Sequence, residues 1–395
     1  MRQNPASLGK AEWDPMTEIH TLIADLVAID SVNPDLVPGG AGEARMAEYI
    51  ADWGRTAGLD TNVQKAGPGR PNVILIARGS GGGKSLMLNA HTDVVGVSEM
   101  DAPFQPAIRD GRLYGRGAYD MKSGLAACML AVKAARDLPL SGDVILSAVV
   151  DEEYGSIGTE ALLAEWKRWP ADALLIAEPT ELNISIAHRG FVWLELETVG
   201  VAAHGSRPHL GVDAIAKMGA VLVSLDAQDR AMRANPTHEL LGSGSLHASI
   251  ISGGEEISMY PAHCKLLVER RTIPGETIAS VEAEAQRILD EIAATDPDFK
   301  ARVKATFGRA PFSIKPAHAL VQQLKRVAEA RLGADVPLIG SSWWMDSALF
   351  GEKGVPTVVL GPAGAGAHAR EEWVDLESVA QCQAIYTDLI AEFCR

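Results

Sequence analysis

The chain of 395 residues is long enough for two or three domains of ordinary size, with ample material for a buried core. Its 47% hydrophobic and 22% charged residues match a folded globular protein and exclude a disordered, collagen-like or disulfide-stapled chain. Thirty-six basic against 51 acidic residues give a formal charge of −15, so neither nucleic acid nor an anionic membrane is expected as a partner. The surplus acid is either solvated surface or, in part, a cluster that binds cations.

Cys128, Cys264, Cys382 and Cys394 lie far apart with no C-x-x-C pair. Neither a disulfide framework nor a thiolate zinc site follows, and the four are expected as small buried hydrophobes. The N-terminal residues hold no apolar core of a signal peptide, and no later stretch approaches the roughly eighteen apolar residues of a membrane helix. The expected setting is a reducing cytoplasm.

Ile19, Leu22, Ile23, Leu26 and Val27, and then Met46, Tyr49, Ile50 and Trp53, recur at helical spacing, so the chain opens with two amphipathic helices. Short apolar runs at 72–79, 85–90, 143–150, 171–177 and 356–361 read as buried strands, and 121–138 as a helix. This predicts an α/β catalytic domain with a mostly parallel sheet, over 1–187 and 308–395. Between them, strand 191–199, helix 213–228, strands 245–251 and 263–271, helix 278–294 and strand 299–307 form one β-α-β-β-α-β, ferredoxin-like unit, giving an inserted domain over 188–307. The α/β pattern then resumes with a helix over 316–333 and a last helix from Asp375.

The segment GSGGGKS at 79–85 imitates a phosphate-binding loop. The pattern needs Gly at 78, where Arg78 stands, and a following helix, where a strand is expected; a Gly-rich hairpin turn is the better reading. No G-x-S-x-G elbow offers a serine nucleophile.

Chemistry gathers at the strand ends. His91 and Asp93 follow the strand 85–90, Glu152 and Glu153 follow 143–150, Glu178 follows 171–177, His368 follows 356–361, and Asp120 opens the helix 121–138. In an open α/β sheet the loops at the carboxyl ends of parallel strands converge on one crevice. Each residue has a bland reading: a hydrogen-bonded histidine, a helix cap, a turn acid or a solvated loop face. Their joint occurrence argues otherwise, because so many carboxylates in one crevice repel unless cations neutralise them. Zinc accepts imidazole nitrogen and carboxylate oxygen, and two ions ~3.5–4 Å apart can share a bridging acid. Asp93 is placed to accept the other N–H of the His91 ring, and one of Glu152 and Glu153 can ligate while its neighbour acts as general base.

H-T-D at 91–93, G-R-G-A-Y-D-M-K-S-G at 115–124, D-E-E-Y-G-S-I-G-T at 151–159, A-E-P-T at 177–180 and A-H at 367–368 resemble, in order, the metallopeptidase and deacylase family of acetylornithine deacetylase, succinyl-diaminopimelate desuccinylase and glutamate carboxypeptidase. The resemblance implies two zinc ions, with cobalt or manganese as compatible alternatives. His91 and Glu178 would hold one ion, Glu153 and His368 the other, with Asp120 bridging and Glu152 as the general base. It also implies a cis peptide at Asp120–Met121 and an inserted domain that serves as lid and homodimer interface. There V-A-A-H-G-S-R-P at 201–208 would bring His204 to the oxyanion of the partner subunit's site, and E-R-R-T-I-P-G at 269–275 would offer Arg271 to a substrate carboxylate. Ser258 stands where many relatives carry Asn, and Trp343 and Trp344 in the segment 340–350, near Asp346, either line an acyl pocket or pack the core, with packing preferred.

The expected reaction is hydrolysis of the amide of a small N-acyl amino acid by metal-activated water. A dipeptidase or carboxypeptidase of the same chemistry is the near rival, and a metal-binding relative without turnover the distant one.

Overall fold

The computed structural model describes residues 15–395, with side chains from Glu18 onward. The expectation that the extreme N-terminus holds no leader falls on residues 1–14, outside those described. By its internal contacts the chain divides into two compact units: residues up to 182 with 323–335 and 360–395, and residues 183–322 with 336–359.

In the first unit, five strands lie side by side in the order Asp60–Gly67, Arg70–Ala77, Val144–Val149, Leu86–His91, Ala173–Ile176. The last three are parallel and fully buried, as their unbroken apolar runs require. The run at 72–79 departs from expectation: its strand is antiparallel to Val144–Val149 and carries Asp60–Gly67, an unforeseen strand, on its other side. The cause is loop length. Only eight residues separate Ala77 from Leu86, too few for the crossover that a parallel partner needs, which takes a dozen or more. The Gly-rich segment is also not a hairpin turn, because Val144–Val149 lies between the two strands it joins.

Two amphipathic helices, Pro15–Val27 and Ala44–Thr56, are present as read. The helix expected over 121–138 runs from Ser123 to Ala135 and is buried on nearly every side. It is preceded by a wide turn over 118–122 in which the Asp120–Met121 peptide is cis. Gly124 lets this helix approach the chain that leads to Glu178, since a Cβ there would stand 2.2 Å from the carbonyl oxygen of Ala177. The C-terminal helix Leu376–Phe393 packs on Ser123–Ala135, and its N-cap Asp375 accepts the Ser378 N–H at 2.9 Å. A small sheet unread in the sequence, in the order Ala107–Arg109, Arg112–Tyr114, Trp373–Asp375, Gly364–Ala365, ties the segment before Asp120 to the segment after His368.

The second unit contains the β-α-β-β-α-β pattern. Its antiparallel strands lie in the order Ser245–Gly253, His263–Thr272, Gly190–Val199, Ala301–Arg309. Along Gly190–Val199 buried and less buried residues alternate, and Val192, Leu194 and Leu196 meet Met218, Val221 and Leu225 of helix Ala214–Ala234 and Val281, Ala285 and Leu289 of helix Ile278–Thr295. The same unit holds strand Ile184–His188, parallel to Leu338–Ser341 and antiparallel to Phe312–Ser313. The run at 356–361 gives the short strand Thr357–Val359, which meets Ile184–His188 in antiparallel sense at Val359 and Ser185. All four cysteines are free and buried. No helix of the described residues is long and apolar enough to cross a membrane.

Candidate metal centre

Seven side chains singled out at strand ends and loops belong to the first unit, and most of them meet. His91 ends its strand. Its Nε2 stands 3.1 Å from Asp120 Oδ1 and 3.5 Å from Glu178 Oε1. His368, in a left-handed backbone conformation, has Nε2 at 3.4 Å from Asp120 Oδ2 and 3.0 Å from Glu153 Oε2. Asp120 therefore presents one oxygen to each imidazole, and each imidazole has its own glutamate besides. Donor atoms of His91, Asp120 and Glu153, and of His91, Glu152 and Glu178, lie within 4.8 Å of one another in each trio.

This donor set fits a pair of divalent cations. Imidazole and carboxylate are the ligands that borderline ions accept, and a two-oxygen bridge between two nitrogen ligands is what a dinuclear site requires. Glu153 Oε1 supplies an independent sign: it is buried with no hydrogen-bond partner among the described residues, which is costly for an oxygen not meant for a cation.

The electrostatics follow from crowding. Burial opposes charge on His91, yet Glu178, Asp120 and Asp93 hold its pKa well above the usual value. The Asp120 and Glu153 carboxylates push His368 up to about 10. Burial, reinforced by Asp120, raises Glu153 to about 7, and the two imidazoles keep Asp120 well below the ordinary carboxylate range despite its burial. Without ions, protons on imidazole balance the acids.

Asp93 does a different job from the one expected. The nearer acceptor for His91 Nδ1 is the backbone carbonyl of Asp93 at 3.0 Å, while the carboxylate is at 3.6 Å, beyond hydrogen-bonding range. That carboxylate is turned instead to the backbone N–H groups of Glu152 and Glu153, both at 3.2 Å, and to Asn33. It holds the loop that carries the two glutamates.

Glu372 went unread in the sequence. Its buried carboxylate accepts from the backbone N–H of Gly117, Tyr119 and Asp120 at 2.9–3.0 Å and from Arg116 Nη1 at 2.6 Å. It fixes the Asp120 turn from the segment that also carries His368. The available signal was an acid four residues after that histidine, which reads equally well as surface charge.

His204 and Arg271 belong to the second unit. His204 is exposed, its Nδ1 paired with Ser206 Oγ at 2.8 Å. Arg271 is half-buried, donates to Glu269 at 2.7 Å and lies over the Phe191 ring. Ser258 is exposed and Asp346 buried. Trp344 packs as preferred, edge-on to His188 and Phe191 with Nε1 donating to Ala310 O, but Trp343 is 47% exposed and does not pack a core.

The model of peptidase family M20/M25/M40 matches residues 87–392. The chain is 29% identical to the acetylornithine deacetylase of Myxococcus xanthus, over 96% of this chain and 99% of that one. It is 28% identical to the N-formyl-4-amino-5-aminomethyl-2-methylpyrimidine deformylase of Bacillus subtilis strain 168, over 100% and 99%. A solved dinuclear metal binding peptidase of the M20 family from Bacillus subtilis has the same fold, with a TM-score of 0.74 at 16% identity over 96% of this chain and 98% of that one.

Proposed function

The chain belongs to peptidase family M20/M25/M40 and is a metal-dependent hydrolase of amide bonds, and from that premise we propose that it removes the acyl group from a small N-acyl amino acid or N-acylated amine. The observation that carries the reading is Asp120, one oxygen toward each histidine and each histidine beside its own glutamate. His91 and Glu178 would hold one ion, His368 and Glu153 the other, and Asp120 both. Zinc is our first choice and cobalt or manganese accept the same donors. Ions held by these residues would lower the pKa of water toward neutrality and would offset charge growing on the scissile carbonyl oxygen.

The chain's residues do the rest. Glu152 lies next to Glu153 with its own N–H fixed on Asp93, and takes the proton of the attacking water as the new C–O bond forms. It returns that proton to the amide nitrogen as the C–N bond breaks, so no covalent acyl-enzyme is needed. We assign His204 to the oxyanion across a homodimer formed by the inserted unit, and Arg271 to a substrate carboxylate. Four buried, free cysteines support a cytoplasmic setting.

Turnover of a panel of N-formyl, N-acetyl and N-succinyl amino acids and amines alongside dipeptides, on zinc- and cobalt-reconstituted protein with metal content measured, tests this. Preference for N-acyl compounds is expected; preference for dipeptides replaces the reading with an exopeptidase, and silence at two ions per chain overturns catalysis.

A further inference from the structure

Behind the cluster lies a buried polar group that the assigned chemistry does not use. Asn33, fully buried, sits in the loop after the first helix, 60 residues before Asp93 and 118 before Asp151. Its Nδ2 donates to Asp93 Oδ2 at 2.8 Å and to Asp151 Oδ1 at 2.9 Å. Its Oδ1 accepts the backbone N–H of Asp35 at 3.0 Å and of Leu36 at 3.3 Å. An amide has two donor hydrogens and an acceptor oxygen with two lone pairs, and here all are engaged. The two carboxylates it joins are the ones that set the catalytic loop. Asp93 holds the N–H groups of Glu152 and Glu153, and Asp151, immediately before Glu152, takes a left-handed backbone conformation (φ +69°) with its other oxygen on the N–H of Ile157.

We propose that Asn33 is a positioning residue: its single side-chain amide locks the His91–Asp93 segment to the Asp151–Glu153 segment and so sets where Glu152 and Glu153 stand relative to His91. The chemistry at this point demands an amide. Two carboxylates this close repel, and only a neutral group with two hydrogens on one nitrogen can satisfy both without adding charge. Arg70 holds Asp151 from the other side, through Nη2 at 3.1 Å, but its remaining nitrogens are committed to Glu43 and Asp35, and its hydrogen bonds run to Asp151, Glu43 and Asp35 rather than to Asp93. Asn33 is thus a link between the two segments that Arg70 does not duplicate, and it backs the direct bonds of Asp93 to the Glu152 and Glu153 N–H groups by holding Asp93 and Asp151 together. Errors of about 1 Å in a catalytic group lower rates on the order of a hundredfold, so a link of this kind acts on kcat.

The inference rests on Glu152 and Glu153 having the roles proposed above. Its test is Asn33→Asp in the full chain, which keeps the shape but turns a carboxylate on two others. Steady-state kinetics on the best N-acyl substrate, rates per folded molecule, and calorimetric titration with zinc are measured. The expected result is a kcat lower by about 10- to 100-fold with KM within about threefold, and zinc bound about tenfold more weakly. Asn33→Ser, which retains one donor and adds no charge, gives an intermediate loss and decides the matter if Asn33→Asp does not fold. A kcat within twofold of the natural protein, or a loss that disappears when rates are referred to folded molecules, overturns the proposal. Failure of the functional reading itself looks different, since the natural protein would then be inactive on every N-acyl substrate.

Discussion

Glu372 offers the sharpest quantitative test of how the Asp120 turn is held. Its side chain and that of Arg116 are each 1% exposed, so they form a buried ion pair, and the same carboxylate satisfies three backbone N–H groups of the turn around Asp120. Glu372→Ala leaves the guanidinium uncompensated and three amides without an acceptor. Removing one member of a buried pair costs about 3–5 kcal/mol, and water entering the space left by the side chain places the result toward the lower end. At about 2–4 °C per kcal/mol this is a fall in Tm of about 6–20 °C. Calorimetry should be done on chelated protein, so that loss of ions does not enter the number. Glu372→Gln keeps one acceptor oxygen. It can serve the Tyr119 and Asp120 N–H groups, which share Oε1, or the Gly117 N–H and Arg116, which share Oε2, but not both. An intermediate fall is expected, and zinc affinity should drop in both variants because the Asp120 turn loses its anchor. A Glu372→Ala protein within 1 kcal/mol of the natural one refutes the view that this carboxylate carries the turn.

Glu152→Gln, close in size and without basicity, should lower kcat about 10²- to 10⁴-fold while both ions stay bound; full activity with metals retained assigns the base elsewhere. Because Asp120 and Glu153 push His368 up to about 10, its ring carries a proton at pH 8 in the metal-free protein, and Glu178, Asp120 and Asp93 favour a proton on His91 as well. Loading two ions at pH 8 should then release at least about one proton, that of His368, read from calorimetry in buffers of different ionisation enthalpy, and apparent affinity should rise with pH until it is gone. The raised His368 stabilises the metal-free fold fully below pH 6.5 and progressively less as pH climbs toward 10, with His91 acting in the same direction, a slope visible in urea titrations and absent if the rings are neutral. Arg271→Ala should raise KM for substrates bearing a free carboxylate about 10- to 100-fold with little change in kcat, and leave substrates lacking that group unaffected.

The candidate donors were legible because each sits at a position whose meaning is local. A buried apolar run announces a strand, and His91, Glu153 and Glu178 stand within a few residues of its end. The residues that hold them were not legible. Asn33 acts across 60 and 118 residues and Glu372 across more than 250, and neither Asn33 nor an isolated acid carries any pattern that names a partner so far along the chain. Strand direction failed for a similar reason at 72–79: an apolar run reports burial, whereas direction follows from the length of the connection. Asp93 shows the limit most finely. The sequence placed it beside His91, but a two-residue offset lets either the carbonyl or the carboxylate face the ring, and the demand of two amides and Asn33 drew the carboxylate away.

Acids in and around the cluster differ in the kind of positive charge they face. Glu43 and Asp151 meet the fixed guanidinium of Arg70, and Glu372 meets that of Arg116. Asp120 and Glu153 meet imidazoles instead. A guanidinium is charged at any working pH, so the first group is neutralised permanently and serves as scaffold. An imidazole that ligates a metal gives up its proton, so under the proposed assignment the second group would draw its positive charge from the ions themselves. Adding a guanidinium to that second group, or exchanging Arg70 for a neutral residue, would therefore disturb opposite things. The first competes with the ions, whereas the second leaves Glu43 and Asp151 as unpaired buried charge and loosens the loop that carries Glu152.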